Sequence, residues 1–232
     1  MSYAIVSGAS RGIGLELVAQ LLGRGWRVIA GCRKTQVLRL TELAGAHPGR
    51  LQVMPLDVAS ERSIHAFVAE AGIVTDRADL LVNNAGLLVS GERYGSVAAK
   101  SLLESFTVNA AGALLLTQAC TSLLAQAGNA RVVNVSTVIA SIARTDTFRT
   151  PSYAMSKAAL NMATRLLAAE LAPQGIVVTS LHPGWVQTDM GGAAAPLAVS
   201  EAATLLLDRI LALTPEDGGR FLASEDGSEL PW

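Results

Sequence analysis

Ala4-Ile5-Val6-Ser7-Gly8-Ala9-Ser10-Arg11-Gly12-Ile13-Gly14 joins a short apolar run, a glycine-rich turn and the start of a helix-length segment. A four-residue apolar run that ends in glycine reads as a buried strand, and the residues after Gly14 carry apolar side chains at helical spacing. Gly8, Gly12 and Gly14 let the turn tighten and let a ligand approach the main chain, while the unpaired N–H groups of the helix start favour an anion there. Ser10, Arg11 and Ile13 complete the loop. The bare alternative is a strand-to-helix turn without a ligand. The three-residue gap between Gly8 and Gly12 also departs from the G-x-G-x-x-G dinucleotide pattern.

Outward from this stretch the same rhythm repeats. Apolar runs at Arg27 to Gly31, Leu51 to Pro55, Leu80 to Asn83, Ala130 to Ser136, Ile176 to His182 and, more weakly, Arg220 to Ala223 alternate with helix-length segments. Continuous rather than alternating apolarity is what strands covered on both faces require. The expected fold is therefore α/β: a Rossmann-type, doubly wound parallel sheet of about seven strands with helices on both faces. With 232 residues the chain suits one domain, with a cofactor half over about residues 1–135 and a catalytic and substrate half over about 136–232. The stretch from Gly191 to Pro196 reads as a flexible loop and candidate lid, with helical spacing resuming from Glu201 to Leu211.

Composition narrows the partners. Half of the residues are hydrophobic, 16% are charged and the formal net charge is -1, which argues against a nucleic-acid surface. Cys32 and Cys120 lack metal or redox spacing, so a reducing, cytoplasmic setting is expected and a metal site is not. No charged residue stands between Glu104 and Arg131, a length that would span a bilayer. Asn109, Thr117, Gln118, Thr121, Ser122 and Gln126 interrupt it, and a helix buried against the sheet and a partner subunit is the better reading.

Tyr153 and Lys157, in Ser152-Tyr153-Ala154-Met155-Ser156-Lys157, stand one helical turn apart, which sets an ammonium beside a phenol. Lowering a tyrosine pKa by two to three units from near 10 takes roughly 3 to 4 kcal/mol. A unit charge about 4 Å away at an effective dielectric of 20 supplies about 4 kcal/mol, so the expected tyrosine pKa falls toward neutrality. Ser136 closes an apolar strand at the end where open α/β sheets bind ligands, where its hydroxyl could hold a substrate oxygen. Asn109, in Thr107-Val108-Asn109-Ala110-Ala111-Gly112, is an amide inside an apolar helix and needs partners if buried.

The glycine loop, Asn83-Asn84-Ala85-Gly86, Asn134-Val135-Ser136 and the Tyr153/Lys157 pair, in this order, resemble the short-chain dehydrogenase/reductase family. The loop spacing matches that family's version. The resemblance implies a catalytic tetrad of Asn109, Ser136, Tyr153 and Lys157, in which Asn109 orders a proton-relay water and Lys157 also binds the nicotinamide ribose. It further implies that Asp57, followed by Val58, meets the adenine amino group and that Asn83, Ala85 and Gly86 lie along the adenosine ribose and brace the sheet. Pro183, Gly184, Val186 and Thr188 would clamp the carboxamide. Without the family, Asp57 reads as a turn or cap residue and Pro183-Gly184 as a turn.

After the second strand, where an NAD-preferring fold carries Asp or Glu, the chain reads Gly31-Cys32-Arg33-Lys34. Arg33, helped by Arg11 or Lys34, could bond a 2′-phosphate. One or two charge-assisted bonds of roughly 1.5 to 3 kcal/mol imply at least a tenfold preference for NADP(H) over NAD(H). Solvated charge after a strand is the plain alternative.

Leu181 to Gly192 and Asp226 to Trp232 carry the likeness further, to the C-factor and Sniffer group of carbonyl reductases, over essentially the whole chain. It implies NADPH-dependent reduction of a small-molecule ketone or aldehyde. A 3-oxoacyl thioester reductase and an NADPH-binding sensor with little turnover stand as alternatives. Leu88, Val138, Phe148, Trp185 and Met190 flank the catalytic stretches and are the candidate substrate pocket. The segment between Ser136 and Tyr153 is short, so helices around 110–127 and 152–171 are expected to pack across a two-fold axis, giving a homodimer or homotetramer.

Overall fold

The computed structural model describes residues 2–232. Seven strands, β1 (Tyr3–Ser7), β2 (Arg27–Cys32), β3 (Leu51–Pro55), β4 (Leu80–Asn83), β5 (Arg131–Val135), β6 (Val177–His182) and β7 (Phe221–Ala223), form one sheet in the order β3-β2-β1-β4-β5-β6-β7. Every pairing is parallel. The order reverses between β1 and β4, which opens a crevice beyond the carboxyl ends of these strands.

Each strand sends alternate side chains to two apolar layers. Ala4, Val6, Val28, Ala30, Leu80, Val82 and Val133 meet Leu17, Leu21 and Leu22 of helix α1 (Gly12–Gly23), Leu40 of α2 (Leu38–Ala46) and Leu206, Leu207 and Ile210 of α7 (Val199–Ala212). Ile5, Ile29, Leu81, Val132 and Val178 meet Ile64 and Phe67 of α3 (Glu61–Val74), Leu116, Cys120 and Leu124 of α5 (Gly112–Ala125) and Leu171 of α6 (Pro151–Leu171). Two packed faces explain why the strands read as unbroken apolar runs.

The uncharged stretch lies in a continuous 27-residue helix from Ala99 to Ala125, half of its most apolar window buried. It comprises α4 (Ala99–Phe106), a π-helical turn (Thr107–Ala111) and α5. It is long and apolar enough to cross a membrane by length and composition alone, yet Leu116, Thr117, Cys120 and Leu124 are fully buried in the protein. Of the two helices expected to pack across a two-fold axis, α6 exposes Met155, Met162 and Leu166 within the expected 152–171, whereas the long helix exposes Leu103 and Phe106 on α4, ahead of the expected 110–127.

The stretch from Gly191 to Pro196, read from sequence as flexible, lies in a loop from Trp185 to Leu197 that is tied across its base. Gln187 N donates to Leu197 O at 2.8 Å, Leu197 N to Trp185 O at 3.2 Å and the Trp185 indole N–H to Gly191 O at 2.8 Å.

Candidate active site

The glycine loop is packed as a cradle. Gly8 has φ +66°, and a Cβ on it would lie 2.8 Å from Ala85 Cα; one on Gly14 would lie 2.5 Å from Gly8 O and 2.4 Å from Asn84 Nδ2. These approaches admit only glycine. They also make Asn84, which the sequence reading passed over, a strut of the loop: its Nδ2 donates to Ser7 O at 3.0 Å and Gly8 O at 3.2 Å. Arg11 heads α1 without a side-chain cap bond, so the first-turn N–H groups face outward.

The segment expected to clamp a nicotinamide arrives opposite. A Cβ on Gly12 would lie 3.4 Å from Thr188 Cγ2, and Arg11 pairs with Asp189. Gly184 has φ +87°, and a Cβ on it would meet Leu197 Cδ1 at 2.4 Å, while Pro183 and Val186 are buried. Arg33 and Lys34 project exposed from the end of β2. Asp57 Oδ1 accepts from Ala59 N at 3.0 Å, holding a turn beside buried Val58. Asn83 turns its side chain inward, donating to Thr117 Oγ1 at 2.9 Å and Asn134 Oδ1 at 2.8 Å, which braces β4 against β5 and α5. A tight glycine cradle, outward N–H groups and exposed cations at the β2 end fit a phosphorylated dinucleotide.

At the other end of the crevice, Pro151 begins α6 at the position where a missing N–H costs nothing. Thr150 before it is the one non-glycine with positive φ among the described residues, at 41°. Glu92 reaches from the loop after β4 to accept from Ser152 N at 3.1 Å and from the Ser152 hydroxyl, tying that loop to the first turn of α6. Beside this tie Tyr94 meets Phe148 edge-on, with centroids 5.6 Å apart. Sixty residues separate Glu92 from its partner, and no sequence spacing signals the contact.

Tyr153 and Lys157 are both buried, 8% and 3% exposed. Lys157 Nζ donates to Val135 O at 2.6 Å and lies 6.0 Å from the Tyr153 ring centroid. Burial pushes the Tyr153 pKa up to about 12 and the Lys157 pKa down to about 8. The sequence expectation of a tyrosine pKa near neutrality is thus not met by the protein alone. Desolvation of the phenolate outweighs the ammonium, which is turned to a backbone carbonyl rather than to the phenol oxygen.

Asn109 lies in the π-helical turn. Its Oδ1 accepts from Leu87 N at 2.7 Å, and its Nδ2 donates to Leu87 O at 2.7 Å and to Ser156 Oγ at 2.8 Å, while Ser156 donates to Tyr153 O at 2.8 Å. The Asn109 side chain therefore braces three segments around Tyr153. Ser136 is 3% exposed and gives its hydroxyl hydrogen to Asn161 Oδ1 at 2.7 Å. Among the described residues no hydrogen bond joins Ser136 to Tyr153.

Of the apolar pocket candidates, Met190 brings its Cε to 3.8 Å from where a Gly86 Cβ would stand. Leu88 follows the Leu87 backbone that Asn109 grips, and Val138 opens the 3-10 turn just after Ser136. Phe148 and Trp185 are half exposed, at 54% and 52%. The C-terminal segment stacks Trp232 on Phe221 and accepts from Ala143 N at 2.9 Å through Trp232 O, supporting the loop after Ser136.

The geometry has close counterparts. Residues 2–196 match the family model described as short chain dehydrogenase. The chain is 41% identical over 160 residues to C-signal of Myxococcus xanthus, covering 69% of this chain and 96% of that protein. It superposes on the carbonyl reductase Sniffer of D. melanogaster with a TM-score of 0.94 at 32% identity, over 100% of this chain and 99% of the other. On the NADPH-bound carbonyl reductase from chicken fatty liver the TM-score is 0.93 at 35% identity, again over 100% and 99%. With the seven-stranded parallel sheet and the glycine cradle, these matches establish an oxidoreductase fold of the C-factor and Sniffer kind: the chain belongs to the short-chain dehydrogenase/reductase family.

Proposed function

We propose that the chain is an NADPH-dependent carbonyl reductase that converts a ketone or aldehyde to an alcohol, with Tyr153 as the general acid. The observation that carries this is the convergence of Asn109, Ser136, Tyr153 and Lys157 at the carboxyl ends of β4 and β5, beside the glycine cradle. The NADPH-bound and Sniffer carbonyl reductases among its structural neighbours support the same reading. When bound, the reduced nicotinamide supplies the hydride.

This chain's residues do the rest. Gly8, Ser10, Gly12, Ile13 and Gly14 give the backbone surface for the pyrophosphate, and Arg33 and Lys34 the positive end for a 2′-phosphate. Asp57, Val58, Ala85 and Gly86 border the adenosine half, with Asn83 contributing through its backbone because its side chain braces the sheet. Pro183, Gly184, Val186 and Thr188 hold the nicotinamide end. Tyr153 holds the proton at Oη through the working pH range, since burial keeps the phenol neutral. Lys157, with its pKa near 8, is charged for most molecules at neutral pH and is poised to exchange protons with solvent. The positive charge of an oxidised nicotinamide ring, added to that ammonium, would favour proton release from Tyr153.

The sheet and both ends of the crevice are proposed to act as one domain, in the cytoplasm. Two copies are proposed to pair through the exposed apolar face of α4 and α6. The test of the activity is loss of reduced-nicotinamide absorbance with NADPH over ketones, aldehydes, diketones and 3-oxoacyl thioesters, in wild type and Tyr153→Phe. Turnover that vanishes in the variant is expected. Equal turnover in both would refute Tyr153 as the acid, and thioesters far outpacing simple ketones would redirect the substrate class.

A further inference from the structure

Asn161 is a buried amide on the stripe of α6 that carries Tyr153 and Lys157, eight and four residues on from them. It is 3% exposed, its Oδ1 accepts the Ser136 hydroxyl at 2.7 Å, and its Nδ2 is buried without a hydrogen-bond partner. A serine hydroxyl has one hydrogen. While Asn161 holds it, Ser136 offers only lone pairs and cannot donate to a substrate oxygen.

We propose that Asn161 is a positioning residue for Ser136: its side-chain amide holds the hydroxyl hydrogen at rest and, with a carbonyl bound, turns end for end so that Nδ2 donates to Ser136 Oγ and the hydroxyl hydrogen points at the substrate oxygen. The inference rests on the reductase reading above. The terminal torsion of asparagine is broad and nearly two-fold, and the two ends of the amide are alike in size, so turning costs little sterically. An oxygen that gains negative charge is a stronger acceptor than a neutral amide oxygen, so the hydroxyl hydrogen moves to it as reduction proceeds. A donor bond from Nδ2 then polarises the Ser136 hydroxyl in the same direction. Turning also gives the buried Nδ2 the partner it lacks, and leaves in its place a carbonyl oxygen, the group more often tolerated without one. No covalent bond changes in this step.

The test is a kinetic double-mutant cycle of Ser136→Ala and Asn161→Leu, run with NADPH and whichever carbonyl compound wild type reduces fastest. Asn161→Leu is expected to lower kcat by about tenfold or more, with NADPH affinity by fluorescence unchanged, and the double variant to match Ser136→Ala alone. Effects that multiply in the double variant would overturn the proposal, since a purely structural role does not act through Ser136. An unchanged kcat would also overturn it, and a raised one would show that Asn161 only restrains the hydroxyl. If Asn161→Leu does not fold, Asn161→Ala carries the same cycle. A wild type without turnover on any carbonyl would refute the reductase reading itself, and this inference with it, before any variant is made.

Discussion

Replacing Lys157 by Met should make the protein more stable near neutral pH, and the gain should shrink as pH rises. The Nζ is buried in the protein, and desolvation lowers its pKa from 10.5 to about 8. In the unfolded chain the group keeps its ordinary value. Below about pH 8 both states are protonated and the full burial penalty stands. Between about 8 and 10.5 the folded lysine is neutral while the unfolded one still binds a proton, so unfolded molecules carry more protons and stability climbs with pH. A pKa lowered from 10.5 to about 8 corresponds to about 3 kcal/mol at low pH, falling to about 1 kcal/mol near pH 9.5. The stability of wild type minus that of Lys157→Met should therefore rise by about 2 kcal/mol from about pH 7 to about pH 9.5. The difference removes contributions common to both proteins, Tyr153 among them. Loss of the 2.6 Å bond to Val135 O adds an offset, and its effect on the titration is already contained in the folded lysine's pKa. Urea unfolding of both proteins at several pH values gives the slope. A flat difference would refute the buried, depressed lysine, and with it the argument that Lys157 exchanges protons near neutrality.

Three other outcomes follow from the same coordinates. Arg33→Asp should reduce the NADPH-to-NADH ratio of kcat/KM by at least about tenfold, as a repelled rather than bonded 2′-phosphate requires; an unchanged ratio would remove Arg33 from the cofactor site. Gly112→Ala should cost about 1 to 3 kcal/mol by urea unfolding, because its Cβ would lie 2.5 Å from Val58 O and push α5 from the turn after β3. Near-wild-type stability there would mean the helix can shift freely. Met162→Asp, at a side chain 61% exposed on the apolar face of α6, should turn an oligomer into monomer-sized particles by light scattering. A wild type that is already monomeric would refute the pairing.

The sheet was legible because both of its faces are covered, so its strands are unbroken apolar runs between turn signals. The pairing of Tyr153 and Lys157 on one face of α6 was legible because one helical turn separates them, while Arg33 stays a proposal that rests on a cation standing where an acid was the alternative. Asn161 shares their helical stripe, yet an amide at that spacing has no chemistry until Ser136, 25 residues earlier, is brought within 2.7 Å of it. Glu92 was hidden for the same reason. The π-helical turn left one trace, Asn109 in an apolar run, and that trace was read as a water holder. Its side-chain partners are the Leu87 backbone, 22 residues earlier, and Ser156 on α6. The exposed apolar face also moved, from residues 110–127 to Leu103 and Phe106, because α5 turns its apolar side into the sheet.

These corrections share one physical cause, the burial of the reacting end. A phenol 8% exposed and an ammonium 3% exposed cannot be activated by proximity alone, because the low-dielectric setting that strengthens their attraction also penalises each charge. Burial instead keeps Tyr153 protonated, keeps Lys157 near its titration point, and requires every nearby polar group to find a partner. Asn109, Ser156 and Ser136 meet that requirement among themselves, Asn161 Oδ1 and the adjoining backbone, while Asn161 Nδ2 is left without a partner. This network holds Tyr153 in place, but it also occupies the Ser136 hydroxyl that the proposed carbonyl reduction would use. On the proposed reading, substrate would win that hydrogen from Asn161 as its oxygen gains charge during the reaction, because a charged oxygen is the stronger acceptor.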